Sequence, residues 1–121
     1  MGGDYDGPYR LARSLCLLAA SAAGVAALDT IYTDFKDDDG LGAECTAARR
    51  SGFAGKMAIH PAQLAIINDA FSVSAAEREW AARVIAAFAA NPDAGTLALD
   101  GKMIDKPHLV LARRLLELPS A

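Results

Sequence analysis

Three side chains could carry chemistry: Asp29 and His60, where a parallel α/β fold would gather it, and Asp105, just before a later helix. Asp29 and Thr30 lie near the end of Val25-Ala-Ala-Leu-Asp-Thr-Ile-Tyr32, an apolar stretch that turns polar, and His60 closes the shorter run Lys56-Met-Ala-Ile-His60. Ligands in such folds bind at the C-terminal ends of the strands, so neighbouring parallel strands bring these groups to one rim. There Asp29 either orients a substrate, holds a neighbouring basic group, or caps the turn that follows it. His60 either donates a hydrogen bond to a carbonyl or phosphate, takes part in proton transfer, or bonds a loop carbonyl. Asp105 precedes Lys106-Pro107 and a helical pattern, which suits an N-cap. The polar segment Asp100 to His108 around it, anchored by Met103 and Ile104, also reads as a flap that closes over a site.

The remaining inventory narrows the chemistry. Two histidines, His60 and His108, and two cysteines outside any CxxC pattern give zinc little to bind. The run Asp37-Asp38-Asp39 stands before Gly40 and a helix. Its carboxylates read first as N-terminal partners of the helix dipole, and only second as a metal cluster. Neither a GxGxxG nor a Walker-type phosphate loop is present. The pairs Arg49–Arg50 and Arg113–Arg114 fall on expected helices as solvated faces, and a net charge of −3 leaves no polybasic face for nucleic acid. The longest apolar run, Ser14 to Leu28, is broken by Ser21 and Gly24. It is shorter than the roughly 20 residues of a membrane span and lacks a basic segment before it, so neither membrane nor signal peptide is expected. Cys16 and Cys45 fall on apolar helix faces, as buried thiols of a reducing cytoplasm would.

The elements that must position these groups follow from spacing. Residues 1–7 read as a loop, and Pro8 opens a helix with Leu11, Leu15, Leu18 and Ala22 on one face, stopped at Gly24. A strand runs from Val25 to about Asp29, a helix from about Leu41 to Arg50, and a second strand from Lys56 to His60. Pro61 opens a third helix with Leu64, Ile67 and Phe71 inward. Alternating helices and strands on short connections make a parallel α/β arrangement. Two strands cannot bury both faces of a parallel sheet, so this region reads as a slice of a sheet or barrel. Beyond it, Ser74 and Glu77 form a capping box for a helix over 75–90 with Trp80, Ala81, Val84, Ile85 and Phe88 as its stripe. Thr96 to Leu99, Asp100-Gly101 and Lys102 to Ile104 spell a tight hairpin. Pro107 starts a last helix with Leu109, Ala112, Leu115 and Leu116 inward.

Ala27-Leu-Asp-Thr-Ile-Tyr-Thr-Asp-Phe-Lys-Asp-Asp-Asp-Gly-Leu41 and Gly52-Phe-Ala-Gly-Lys-Met-Ala-Ile-His-Pro-Ala-Gln63 together resemble the last two barrel strands of the citrate lyase β-subunit-like and malyl-CoA lyase family, within the HpcH/HpaI aldolase group. Phe71-Ser-Val-Ser-Ala-Ala-Glu77 and Ala98-Leu-Asp-Gly-Lys-Met-Ile-Asp-Lys-Pro-His108 look like its C-terminal helix and lid. The resemblance implies an α/β chain: the C-terminal portion of a TIM (β/α)8 barrel over 1–72, then a helical extension with a β-hairpin lid over 73–121. It also implies an enzyme assembled as trimers or hexamers, which cleaves or forms a C–C bond between an acyl-CoA and a small oxo acid such as glyoxylate. Some members hydrolyse the thioester instead.

Mg²⁺, held by a Glu and an Asp, is the cofactor the family implies. Those ligands and a substrate-binding Arg belong to earlier strands, so no metal ligand is expected within these residues, and the chain alone is expected to be inactive. Asp105 matches the lid aspartate that reaches a neighbouring subunit's active site, for proton transfer at the thioester α-carbon or activation of water. Ile59, His60 and Pro61 match the acyl-CoA side of the pocket, and Asp29 a supporting position at the substrate rim. A non-catalytic module that associates with full-length subunits is the alternative of a different class, and a malyl-CoA thioesterase or malate-synthase-like enzyme the alternative reaction.

Overall fold

The computed structural model describes residues 6–118. They divide into two compact units, Met1–Phe71 and Ser72–Ala121.

In the first unit, α1 (Asp6–Ala23) is already under way before Pro8, and Gly24 ends it at φ +68°. Of the loop expected over 1–7, residues 1–5 lie outside the described residues. Strands β1 (Leu28–Asp29) and β2 (Gly55–Lys56) pair in parallel, Leu28 opposite Gly55 and Asp29 opposite Lys56. The Ala54 N–H donates to the Ala27 carbonyl at 2.8 Å and the Met57 N–H to that of Asp29 at 3.1 Å, which lengthens the ladder at both ends. Both strands are shorter than expected. Each has one neighbour, so regular pairing covers only the residues that face each other, and His60 has left the strand to cap the next turn.

Helix α2 (Asp38–Ser51) begins as the acidic run suggests. Asp37 is its N-cap, with Oδ1 accepting from the Gly40 N–H at 2.9 Å, and Asp38 and Asp39 occupy the first turn. Gly52 closes it at φ +114°, a left-handed conformation that a side chain would strain. After β2, a 3-10 turn (Pro61–Gln63) leads into α3 (Leu64–Phe71). Leu41 and Cys45 of α2 pack with Ile67, and Tyr32, Ile66, Ala70 and Phe71 border them. Leu64, expected inward, is 52% exposed, and Gln63 is buried in its place. Three residues per turn before α3 rotate its register and exchange the two positions.

The stripe of α1 has the expected helical spacing but points outward. Leu11, Leu15 and Leu18 are exposed, as are Val25 and Leu28 beyond them. Cys16, on the same helix, is exposed rather than buried, whereas Cys45 is buried and burial pushes its thiol pKa up.

The second unit follows its local signals closely. Helix α4 (Ala75–Ala90) carries the full capping box, Ser74 accepting from the Glu77 N–H while Glu77 accepts from that of Ser74. Strands β3 (Thr96–Leu99) and β4 (Lys102–Asp105) form an antiparallel hairpin, Leu99 opposite Lys102 and Thr96 opposite Asp105. Its turn places Asp100 at φ +52° and Gly101 at φ +74°, the pair of positive angles a type I′ turn demands. Helix α5 (Lys106–Glu117) completes the layer. Ala81, Val84, Phe88, Ile104, Leu109 and Ala112 form one buried cluster, with Trp80 and Leu115 at its border. Leu116, also expected inward, remains 38% exposed. Among the described residues, no helix is long and apolar enough to cross a membrane.

Candidate functional site

Side chains alternate across a strand, and the pairing register decides which groups share a face. Asp29 and Lys56 are opposite one another, and both turn towards the helices. The Asp29 carboxylate is 1% exposed and receives three donors: the Arg13 guanidinium of α1, the Thr30 N–H at 2.8 Å, and Lys56 Nζ at 3.1 Å. Lys56 reaches on to Glu44 Oε2 of α2 at 2.7 Å, and its own side chain is fully buried. Arg13 also lies over the Phe53 ring, 4.6 Å from its centroid. Four charges thus join both strands to both flanking helices. Of the roles open to Asp29, the structure shows it holding basic groups and bonding the residue that follows.

Burial alone would raise the Asp29 pKa. The bonds from Arg13, the Thr30 amide and Lys56 outweigh it and hold the pKa below the ordinary carboxylate value. A depressed carboxylate pKa contributes stability that is present above the unfolded value, near pH 4 on the usual scale, and lost as pH falls through the folded value. The first unit should therefore lose helical circular dichroism below about pH 4. Asp29→Asn, which has no proton to take up there, should flatten that limb of the acid titration.

His60 sits at the end of the extended segment after β2, where it caps the 3-10 turn. Its Nδ1 accepts from the Ala62 N–H at 3.1 Å. The ring stacks on Phe35 of the β1–α2 loop, with centroids 4.7 Å apart and planes 15° apart. Ile59 and Pro61, the other two residues expected at the pocket wall, flank it and are exposed. Buried Gln63 ties the two loops together: its Oε1 accepts from the Ile59 N–H at 2.9 Å and its Nε2 donates to the Tyr32 carbonyl at 2.9 Å. The Tyr32 hydroxyl donates to Asp37 Oδ2 at 2.7 Å, and that bond pushes the phenol pKa up to about 12. The strand ends are thus adjacent, with His60 directed to the loops and Asp29 to the helix layer.

Asp105 belongs to the second unit. It is the N-cap of α5, with Oδ1 accepting from the His108 N–H at 3.3 Å. His108 Nδ1 lies 2.6 Å from the same oxygen and 3.2 Å from the Asp105 backbone nitrogen. That ring nitrogen serves one partner at a time. Protonated, it donates to the carboxylate; unprotonated, it accepts from the amide. The bond to His108 lowers the Asp105 pKa against the opposing effect of burial, so the carboxylate is ionised at neutral pH. Both groups are partly open to solvent, their side chains 34% and 41% exposed.

Spacing alone does not single out Arg13, Glu44, Lys56, Phe35 or Gln63 as parts of a site. Lys56 carried the one usable signal, a cation inside an apolar strand that would need an anion if buried. Phe35 and Gln63 look like any loop aromatic and any amide. Among the described residues, no three His, Cys, Asp or Glu side chains converge where a metal ion could be held. Asp37 is already engaged by Tyr32 and the Gly40 amide. With both its oxygens engaged, Asp37 is a poor fit to magnesium.

Residues 15–121 match the family described as C-C_Bond_Lyase of the TIM-Barrel fold. A (3S)-malyl-CoA thioesterase of Cereibacter sphaeroides is 52% identical over 104 residues, covering 84% of this chain and 36% of that protein. The mitochondrial citramalyl-CoA lyase of Rattus norvegicus is 36% identical over 112 residues, covering 91% of this chain and 33% of that one. Among solved structures, the protein CitE of Mycobacterium tuberculosis in complex with magnesium, acetoacetate and coenzyme A aligns with a TM-score of 0.79 at 38% identity, over 95% of this chain and 42% of that chain. This chain therefore spans well under half the length of the relatives it matches.

Proposed function

This chain belongs to the C–C bond lyase family of the TIM-barrel fold, and on that premise we propose that it is the strand-end and flap portion of an enzyme acting on malyl-CoA-type esters. In this reading β1 and β2 are the last two staves of a (β/α)8 barrel, and the β3–β4 hairpin with α5 is the flap. The completed enzyme makes or breaks the C–C bond between an acyl-CoA and a small oxo acid such as glyoxylate. The observation that carries the reading is the parallel β1–β2 pair, each strand leading into its own helix, within a similarity that runs on through Asp105.

Ile59, His60 and Pro61 line the acyl-CoA side, and Asp29 fixes the rim behind them through Arg13 and Lys56. Asp105 moves a proton at the thioester α-carbon through Oδ2, the oxygen that neither the His108 amide nor the His108 ring engages. Trimeric or hexameric assembly would let this flap serve a neighbouring subunit. Magnesium ligands, and the rest of the pocket, would come from residues beyond those described here.

A second reading, thioester hydrolysis, is favoured by the 52% identity to a malyl-CoA thioesterase against 36% to a citramalyl-CoA lyase. The same carboxylate would then activate water. Products separate the two: glyoxylate with acetyl-CoA from the lyase, malate with free coenzyme A from the thioesterase.

The purified chain with malyl-CoA and Mg²⁺ is expected to give neither pair. Co-expressed with the N-terminal barrel segment of the Cereibacter thioesterase, it is expected to turn over. Asp105→Asn, which keeps the helix cap, should then lower the rate by about 100-fold or more, the usual worth of a positioned acid or base. Turnover by the chain alone, or an undiminished Asp105→Asn rate, would overturn the assignment.

A further inference from the structure

We propose that Gln63 is a positioning residue that, with Phe35, locks His60 as a hydrogen-bond donor to an oxygen of the acyl-CoA. This deepens the reading of His60 given above and rests on it. Gln63 is 1% exposed, and its amide spans two strand-end loops. The Ile59 N–H needs an acceptor and the Tyr32 carbonyl needs a donor, so a single amide orientation satisfies both, at 2.9 Å each. Neither an ionised carboxylate nor an apolar side chain of the same length can do so.

The staple fixes the separation of the loops that carry Phe35 and His60. It thereby holds the face-to-face stack of the two rings. The Ala62 N–H occupies His60 Nδ1, so the proton of the neutral imidazole resides on Nε2. The ring cannot turn about its stacked face without losing either Phe35 or that bond. Nε2–H is thus offered in one direction, as a donor and not as a base. A carbonyl or phosphate oxygen of the acyl-CoA is the matching acceptor, and a substrate proton is not.

The chain contains only two histidines, so ¹⁵N imidazole spectra resolve His60 once His60→Gln has removed its signal. In the native chain, above the histidine titration range, His60 should show the Nε2–H tautomer and nuclear Overhauser contacts to the Phe35 ring. Gln63→Met should abolish those contacts and mix the tautomers while the His108 signals stay in place. Phe35→Leu should keep the Ile59 amide protected and lose only the fixed tautomer.

Should Gln63→Met fail to fold, the native measurements still decide. Absence of the Phe35 contacts or the opposite tautomer in the native chain overturns the proposal, as does an unchanged His60 in a folded Gln63→Met. Coenzyme A at millimolar concentration, added to the labelled chain assembled with the Cereibacter barrel segment, tests the underlying reading separately, with pantetheine as the second arm. A His60 shift with both probes points to a carbonyl acceptor, and a shift with coenzyme A alone points to phosphate. No shift with either, beside an intact tautomer lock, sinks the acyl-CoA role and leaves the positioning intact.

Discussion

Replacing Asp29 by alanine should destabilise the first unit by about 3–5 kcal/mol, the usual cost of removing one member of a buried ion pair. The carboxylate is 1% exposed and the Lys56 side chain it meets is fully buried. Without it, Lys56 keeps Glu44, whose side chain is 38% exposed, and Arg13 loses its pairing with Asp29. The penalty is chiefly that of a cation left without enough neutralising charge, so it should be partly reversible. Adding Lys56→Met to Asp29→Ala removes the stranded cation and should recover a large share of the loss. Urea titrations followed by circular dichroism give both values, as midpoint shifts at constant slope. A loss below about 1 kcal/mol for Asp29→Ala would show that water reaches this cluster in solution. The same variant separates support from chemistry, because a residue that touched only substrate would leave the stability of the free protein unchanged.

The second unit should be still more sensitive to its central aromatic. Phe88 is 4% exposed, packs among Ala81, Val84, Ile104 and Leu109, and lies 5.0 Å beneath Lys106 Nζ. Truncating a buried phenylalanine to alanine costs about 3–5 kcal/mol. A domain carries only about 0.05–0.15 kcal/mol of stability per residue, so that cost approaches everything a unit of this size holds. Phe88→Ala should therefore unfold the α4–hairpin–α5 layer at room temperature. Trp80, the sole tryptophan, borders this core and supplies the readout. Its near-ultraviolet dichroism should vanish and its emission shift towards that of exposed indole. Val110→Ala, on the 52% exposed side of α5, should change stability by no more than about 0.5 kcal/mol. Retention of the Trp80 signal in Phe88→Ala would refute the placement of this ring at the centre of the layer.

The parts of the molecule legible in its sequence are those written locally. Ser74 with Glu77, Asp100 with Gly101, and Asp105 before Pro107 each specify a cap or turn within four residues, and α4, the hairpin and α5 follow. Asp37 and Gly52 likewise bracket α2. The strands were harder to read, because the length of a strand depends on its neighbour and not on its own apolar run. β2 yields His60 to a turn for that reason. A shift of one position exchanged Gln63 and Leu64, since the 3-10 turn at Pro61 alters the period on which helical spacing relies.

The candidate site divides in the same way. The sequence located Asp29, Ile59, His60 and Pro61 near strand ends and Asp105 at a helix start. What grips them is non-local. Arg13 meets Asp29 across 16 residues, Lys56 meets it across 27, and Gln63 meets Tyr32 across 31. No spacing rule foresees such pairs, although an isolated lysine in an apolar run poses the question.

Helix α1 keeps Leu11, Leu15 and Leu18 towards water, and Val25 and Leu28 extend the oily surface. To the quality-control machinery of a cell, such a surface resembles that of a nascent polypeptide. Left uncovered, it is a surface of the kind chaperones and proteases recognise, however well the buried charges beneath it are formed. Shelter for these leucines is thus a requirement separate from the folding of the unit that carries them.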